Sequence, residues 1–175
     1  MRRARSIAAI ARLDPAVHRL CVAYFHCTGD RPDLVQALDS YVREGGSLLA
    51  LHSVSASFKG NSLFAGLLGG VFTRHDPIDA LEVHRMGSSE WVPFTVTDEP
   101  YEHRLSTAVS VTHRWRSPGT SEVADGGEPC AWTRSHGTGR VGYLSLGHRS
   151  EVWEVPGVEW ILRELFAWCI GEASV

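Results

Sequence analysis

The chain has no basic surplus, no long apolar run and few cysteines, and each shortage narrows what it does. Its 17 lysines and arginines face 20 aspartates and glutamates, a formal charge of −3. Arg2, Arg3, Arg5 and Arg12 lie in a stretch without acids, so the remainder carries 17 − 4 = 13 basic against 20 acidic residues, or −7. That balance gives a nucleic acid no positive surface to bind. The apolar run Ile7 to Ala11 is too short for a signal-peptide core or a membrane span, and no other segment is long enough, so a cytoplasmic protein is expected. Cys21, Cys27, Cys130 and Cys169 form no CxxC pair, and three of them sit inside apolar segments, which reads as buried, reduced thiols. There are no internal repeats and no low-complexity tracts. A GxSxG elbow and an HExxH helix are also missing, which removes the usual signatures of a serine hydrolase and a zinc peptidase.

What is present suits one globular domain: 175 residues, 43% hydrophobic and 21% charged. The organising stretch is Gly45-Gly46-Ser47-Leu48-Leu49-Ala50-Leu51-His52-Ser53. Two glycines end a helix, a mostly apolar run follows without polar alternation, and a histidine then appears, as for a buried strand surfacing at its C-terminal end. Ligands of open α/β sheets bind at such ends. Ahead of it, Leu20 to Phe25 reads as a buried strand, and Leu34, Val35, Leu38, Tyr41 and Val42 give a helix face, with Asp30 as expected N-cap and Gly45 as stop. Strand, helix, strand is the unit of a parallel sheet.

Leu63, Phe64, Leu67 and Leu68 have helical spacing before Gly69-Gly70; strands are expected over 80–86, 94–96 and 109–113, and a loop over 117–128. Residues 129–134 and 141–146 flank a glycine-containing turn, and Pro156 opens a helix that Gly171 closes. The expected architecture is an arginine-rich leader, 1–19, and a single doubly wound α/β domain, 20–175, with an antiparallel hairpin addition.

In this order, Gly45 to His52, Phe64…Leu67-Leu68-Gly69-Gly70…Phe72…His75, Asp98-Glu99-Pro100-Tyr101 and Pro129…Ala131-Trp132…Gly139-Arg140-Val141…Tyr143…Gly147-His148 resemble the ThuA-like (trehalose utilisation) family. The resemblance implies a class I glutamine amidotransferase-like, flavodoxin-like fold and a role in catabolism of trehalose or a related, oxidised sugar. Two departures stand out. The family begins with a further strand and helix where this chain has only its short leader, so the sheet edge at Leu20–Phe25 is expected to be covered by residues 1–19 or, in a homodimer, by a second subunit. Pro100 replaces the usual leucine of the Asp-Glu-Leu-Tyr block.

An amidotransferase needs a cysteine on the turn after the core strand, and here that turn reads His52-Ser53, so glutamine hydrolysis is not expected. The constellation His52, His75, Asp98, Glu99 and His148 suits proton transfer at a sugar carbon next to a carbonyl, or a divalent metal such as zinc held by His52, His75 and His148. His52, His148 and Glu99 are the catalytic candidates; His75, Asp98, Tyr101, Trp132 and Trp153 are the substrate-binding ones. His26, His84, His113 and His136 read as surface or strand-end residues. The competing reading is a non-catalytic sugar-binding domain that keeps the fold without the nucleophile.

Overall fold

β2 (Ser47–Leu51) is buried at all five positions because it feeds both faces of a sheet. Leu48 and Ala50 point into one core cluster, Leu49 and Leu51 into the other. That division is visible in a computed structural model that describes residues 4, 6–87, 90–120 and 126–172. Arg2, Arg3 and Arg5 of the leader and residues 121–125 of the 117–128 loop lie outside the described residues.

β1 (Leu20–Ala23) and β9 (Gly139–Leu144) pair with β2 in parallel, one on each side. Between β1 and β2 runs α1 (Pro32–Arg43), which begins with proline in its first turn and is stopped near Gly45, φ +109°. Arg31, not Asp30, holds the N-cap position, and no side chain caps this helix. α1 and α2 (Ser62–Leu68) cover the first face, α3 (Pro156–Ile170) the second.

The sheet has the order β1-β2-β9-β8-β7-β4-β5, completed by β8 (Glu128–His136), β7 (Ser110–Arg116), β4 (Asp79–Arg85) and β5 (Phe94–Asp98). Parallel pairing is confined to β1, β2 and β9; every other junction is antiparallel. The antiparallel part is therefore far larger than the hairpin expected from sequence. The reason is that the described residues between 79 and 136 contain no helical crossover, and parallel neighbours need a connection of about a dozen residues or more. The result is a mixed α/β fold. A second, two-stranded sheet pairs β3 (Gly70–His75) with β6 (Tyr101–Leu105), a strand where the sequence suggested a connecting segment.

The β8–β9 connection is tighter than expected, a two-residue turn at Gly137-Thr138. Gly137 has φ +60°, and a Cβ there would stand 2.5 Å from the Arg43 backbone. His113 is a correction too, fully buried in the middle of β7, whereas His136 does end β8, buried there and bonded through Nε2 to Asp39 at 2.7 Å. Alternating strands show only which side chains share a face, and the face carrying them turned out to be covered.

Burial pushes the imidazoles of His103 and His113 down to about 3, with Arg85 adding to the effect at His113. In the unfolded chain such groups titrate at about 6.5. Below that pH the unfolded state binds the extra protons, so their contribution to stability is complete above about 6.5 and is lost as pH falls toward 3. Thermal melts are expected to show Tm dropping steadily between pH 6.5 and pH 4, with a shallower slope in His113→Phe. A Tm independent of pH over that interval would contradict the burial argument.

Candidate functional site

β2 ends by handing the chain to a 3-10 turn whose first residue is His52. Its φ of +49° is unusual for a residue with a side chain and costs on the order of 1–3 kcal/mol, strain of the kind that clusters at functional turns. The ring is buried, and Nδ1 lies 2.8 Å from the Ser145 carbonyl oxygen. A carbonyl only accepts, so Nδ1 carries the proton and the neutral ring presents a lone pair at Nε2. Burial pushes the His52 pKa down, against the opposing pull of the Ser145 carbonyl, Asp98 and Glu99.

Nε2 faces Glu99 Oε2 at 3.5 Å. Glu99 stands in the turn between β5 and β6, just after Asp98, whose carboxylate is fully buried. Asp98 Oδ2 accepts the Gly147 N–H at 2.6 Å, and Oδ1 accepts the His148 N–H at 3.1 Å. Asp98 is thus occupied in fastening the loop after β9, and that loop brings His148 Nδ1 to 3.2 Å from Glu99 Oε2. The rings of His52 and His148 are 5.4 Å apart.

His75, at the end of β3, donates Nδ1–H to the Asp76 carbonyl at 3.0 Å and lies 3.9 Å from Glu99 Oε1. Its ring stacks on Tyr101 at 5.3 Å, and Tyr101 continues to His52 at 4.6 Å. Burial, then the Glu99 charge, hold the Tyr101 phenol protonated well above the ordinary range. Trp153 packs over Gly147, where a Cβ would fall 2.1 Å from the indole. It meets Tyr24 edge-on at 6.1 Å, and Tyr24 donates its hydroxyl to the Gly147 carbonyl at 2.9 Å. His52 and Glu99 close the back, with side chains 4% and 14% exposed, while His75 and His148 open the front at 40% and 41%.

Trp132 is not brought to this group. It is fully buried, gives its indole N–H to the Leu68 carbonyl at 2.9 Å and packs on Tyr143 at 4.2 Å. The sequence reading missed what lies beneath the site. Tyr143 donates to the His52 carbonyl at 2.9 Å; Ser55 Oγ is 2.7 Å from the Tyr143 hydroxyl and 3.0 Å from His103 Nε2. A tyrosine inside a strand as apolar as β9 was the available signal, because a buried hydroxyl requires a partner.

One ligand atom each from His52, Glu99 and His148 lies within 4.8 Å of the others. Bonds of about 2.0–2.1 Å place the ligand atoms of a tetrahedral zinc ion roughly 3.3 Å apart, close to the 3.5 and 3.2 Å separations here. Glu99 completes this set in place of the expected His75. Burial pushes the thiols of Cys21 to about 11, Cys169 to about 12 and Cys130 higher still, which disfavours their thiolates, and no cysteine stands on the turn after β2.

A family model described as ThuA, trehalose utilisation, matches residues 22–169. No curated protein matches the chain. Among solved structures, a ThuA-like protein from Parabacteroides merdae superposes with a TM-score of 0.75 at 14% identity, covering 93% of this chain and 74% of that one. One from Bacteroides uniformis gives 0.70 at 19% identity, covering 91% and 74%. The cold-adapted β-galactosidase from Rahnella sp. R3 gives 0.64 at 13% identity, covering 94% of this chain but only 24% of the enzyme. At these identities the likeness is one of fold.

Proposed function

The chain belongs to the ThuA, or trehalose-utilisation, family, and from that premise we propose that it is a carbohydrate-active enzyme whose site is built on a divalent metal such as zinc, held by His52, Glu99 and His148. The observation that carries this is the pairing of His52 Nε2 with Glu99. With Nδ1–H committed to Ser145, a neutral His52 turns a lone pair toward a carboxylate 3.5 Å away, and burial disfavours the charged ring that would relieve the clash. A cation between them satisfies both, and the Ser145 carbonyl then does what outer partners of metal-bound histidines do, fixing tautomer and orientation.

Held by His52, Glu99 and His148, such an ion would supply Lewis acidity toward a sugar carbonyl or hydroxyl. The open front accommodates the sugar, with Tyr101 and Trp153 as apolar walls. His75, whose Nδ1–H is held by the Asp76 carbonyl, offers Nε2 as acceptor for a proton on the carbon next to a sugar carbonyl. Incubating the metal-loaded protein in D2O with trehalose, glucose and their keto derivatives tests this. Solvent deuterium is expected beside the carbonyl of a keto-sugar and is expected to vanish on chelation. Binding without exchange would favour the non-catalytic domain instead, and neither binding nor exchange would overturn the proposal.

We further propose that the chain forms a single domain, to whose core Ile10 contributes, and that the parallel trio β1-β2-β9, covered by helices on both faces, belongs to a doubly wound, flavodoxin-like arrangement. A cytoplasmic location is proposed as well, supported by a structural neighbour described as a cytoplasmic protein from Salmonella typhimurium LT2; none of the described helices is long and apolar enough to cross a membrane. The proposed assembly is a homodimer through the outer edge of β1, which pairs with no strand among the described residues. Sedimentation is expected to give twice the chain mass, and a stable monomer at micromolar concentration would refute it.

A further inference from the structure

Beside the metal-ligating group lies a cavity of about 420 Å³ that none of the proposed ligands lines. Phe58, Phe64 and Phe72 contribute its apolar side, and Lys59 and Arg104 its cations. Lys59 is the only lysine in the chain. Among the described residues, Arg31, Arg43, Arg74, Arg85, Arg116, Arg149 and Arg163 pair with carboxylates. Arg19, Arg114, Arg134 and Arg140 donate to backbone carbonyls. Lys59 and Arg104 do neither, and nor does Arg12, which does not line the cavity; the Lys59 ammonium stands 5.5 Å from the centre of the Phe72 ring.

Two contacts join the wall of the cavity to the site. Phe72 is packed on Tyr101 at 4.7 Å and lies 6.0 Å from His75. Ser55, in the cavity wall, is 2.7 Å from the Tyr143 hydroxyl that holds the His52 carbonyl. We propose that this cavity binds the anionic group, carboxylate or phosphate, of an acidic sugar whose ring reaches the His52–Glu99–His148 site. The assignment of the ring rests on the sugar reading of that site; the assignment of the anion rests on the cavity. Two cations without protein counter-charges at the mouth of an apolar hollow attract a ligand that brings the counter-charge itself, and partial burial against the phenylalanines strengthens the attraction over that of an open surface.

Calorimetric titration at low salt with glucuronate, glucose 6-phosphate and glucose tests this, with inorganic phosphate as competitor. At least one acid is expected to bind about ten-fold or more tightly than glucose, as charge-assisted contacts of roughly 1.5 kcal/mol and upward imply. Tighter glucuronate identifies a carboxylate site, tighter glucose 6-phosphate a phosphate site. The double variant Lys59→Ala, Arg104→Ala is expected to lose that preference while metal content is unchanged, both residues being exposed and outside the core. Equal affinity for all three sugars, or a double variant that keeps the preference, would overturn the proposal. A wild-type protein that holds no metal yet prefers the acids would remove the metal site and leave the cavity assignment standing.

Discussion

Replacing Glu99 by glutamine is expected to abolish divalent-metal binding, with an affinity loss of about 100-fold or more, and to leave the fold at least as stable as before. Loss of an outer partner alone costs about 10–100-fold in comparable sites, and here the anionic ligand itself goes. Stability should move the other way. Glutamine keeps the shape of glutamate but adds N–H donors, so the His52 Nε2 lone pair 3.5 Å away gains a donor instead of facing another acceptor. Metal titration and thermal melting of the same preparation read both effects. If Glu99→Gln kept its metal, or lost it only because it unfolded, the placement of the ion between His52 and Glu99 would be wrong.

Asp98→Ala is expected to damage the protein more deeply. The carboxylate is the acceptor for the buried N–H of Gly147 and the part-buried N–H of His148, and alanine leaves both donors without it. A buried donor left unmade costs about 1–3 kcal/mol and a part-buried one less, so the pair predicts a loss of roughly 1–4 kcal/mol. The same change frees the loop that positions His148, so metal affinity should fall even though Asp98 touches no ligand position. Asp98→Asn retains one acceptor oxygen and should lie between wild type and alanine. Urea unfolding checks the ranking. An alanine variant within about 0.5 kcal/mol of wild type, the usual range for inconsequential surface changes, would contradict it.

The contrast between these residues shows what could be read from the sequence. β2 and His52 were legible because a strand buried on both faces leaves an uninterrupted apolar run, and the first polar residue after it marks the strand end. Glu99 and His148 were legible as members of blocks, not as neighbours: they are brought together by a sheet whose order no local pattern encodes. Asp98 was taken for a ligand-facing acid, since nothing in its own sequence neighbourhood reveals that two backbone donors from residues 147 and 148 point at it. β6 escaped notice because its inward residues are Tyr101 and His103, polar by composition yet buried in fact. Trp132 illustrates the reverse case, an aromatic residue whose indole N–H is consumed by a carbonyl in the core. Lys59 and Arg104 are visible only through the cavity they line, where neither finds a carboxylate partner among the described residues.

The most direct measurement is a crystal structure of the protein grown with Zn²⁺, with anomalous diffraction recorded on both sides of the zinc absorption edge. The account predicts one strong peak per chain, about 2.0–2.2 Å from His52 Nε2, His148 Nδ1 and a Glu99 oxygen. It also predicts that His52 Nδ1 still donates to the Ser145 carbonyl. A map with no peak at that position, or with zinc bound only elsewhere, for instance at the Glu82–His84 pair, would contradict it.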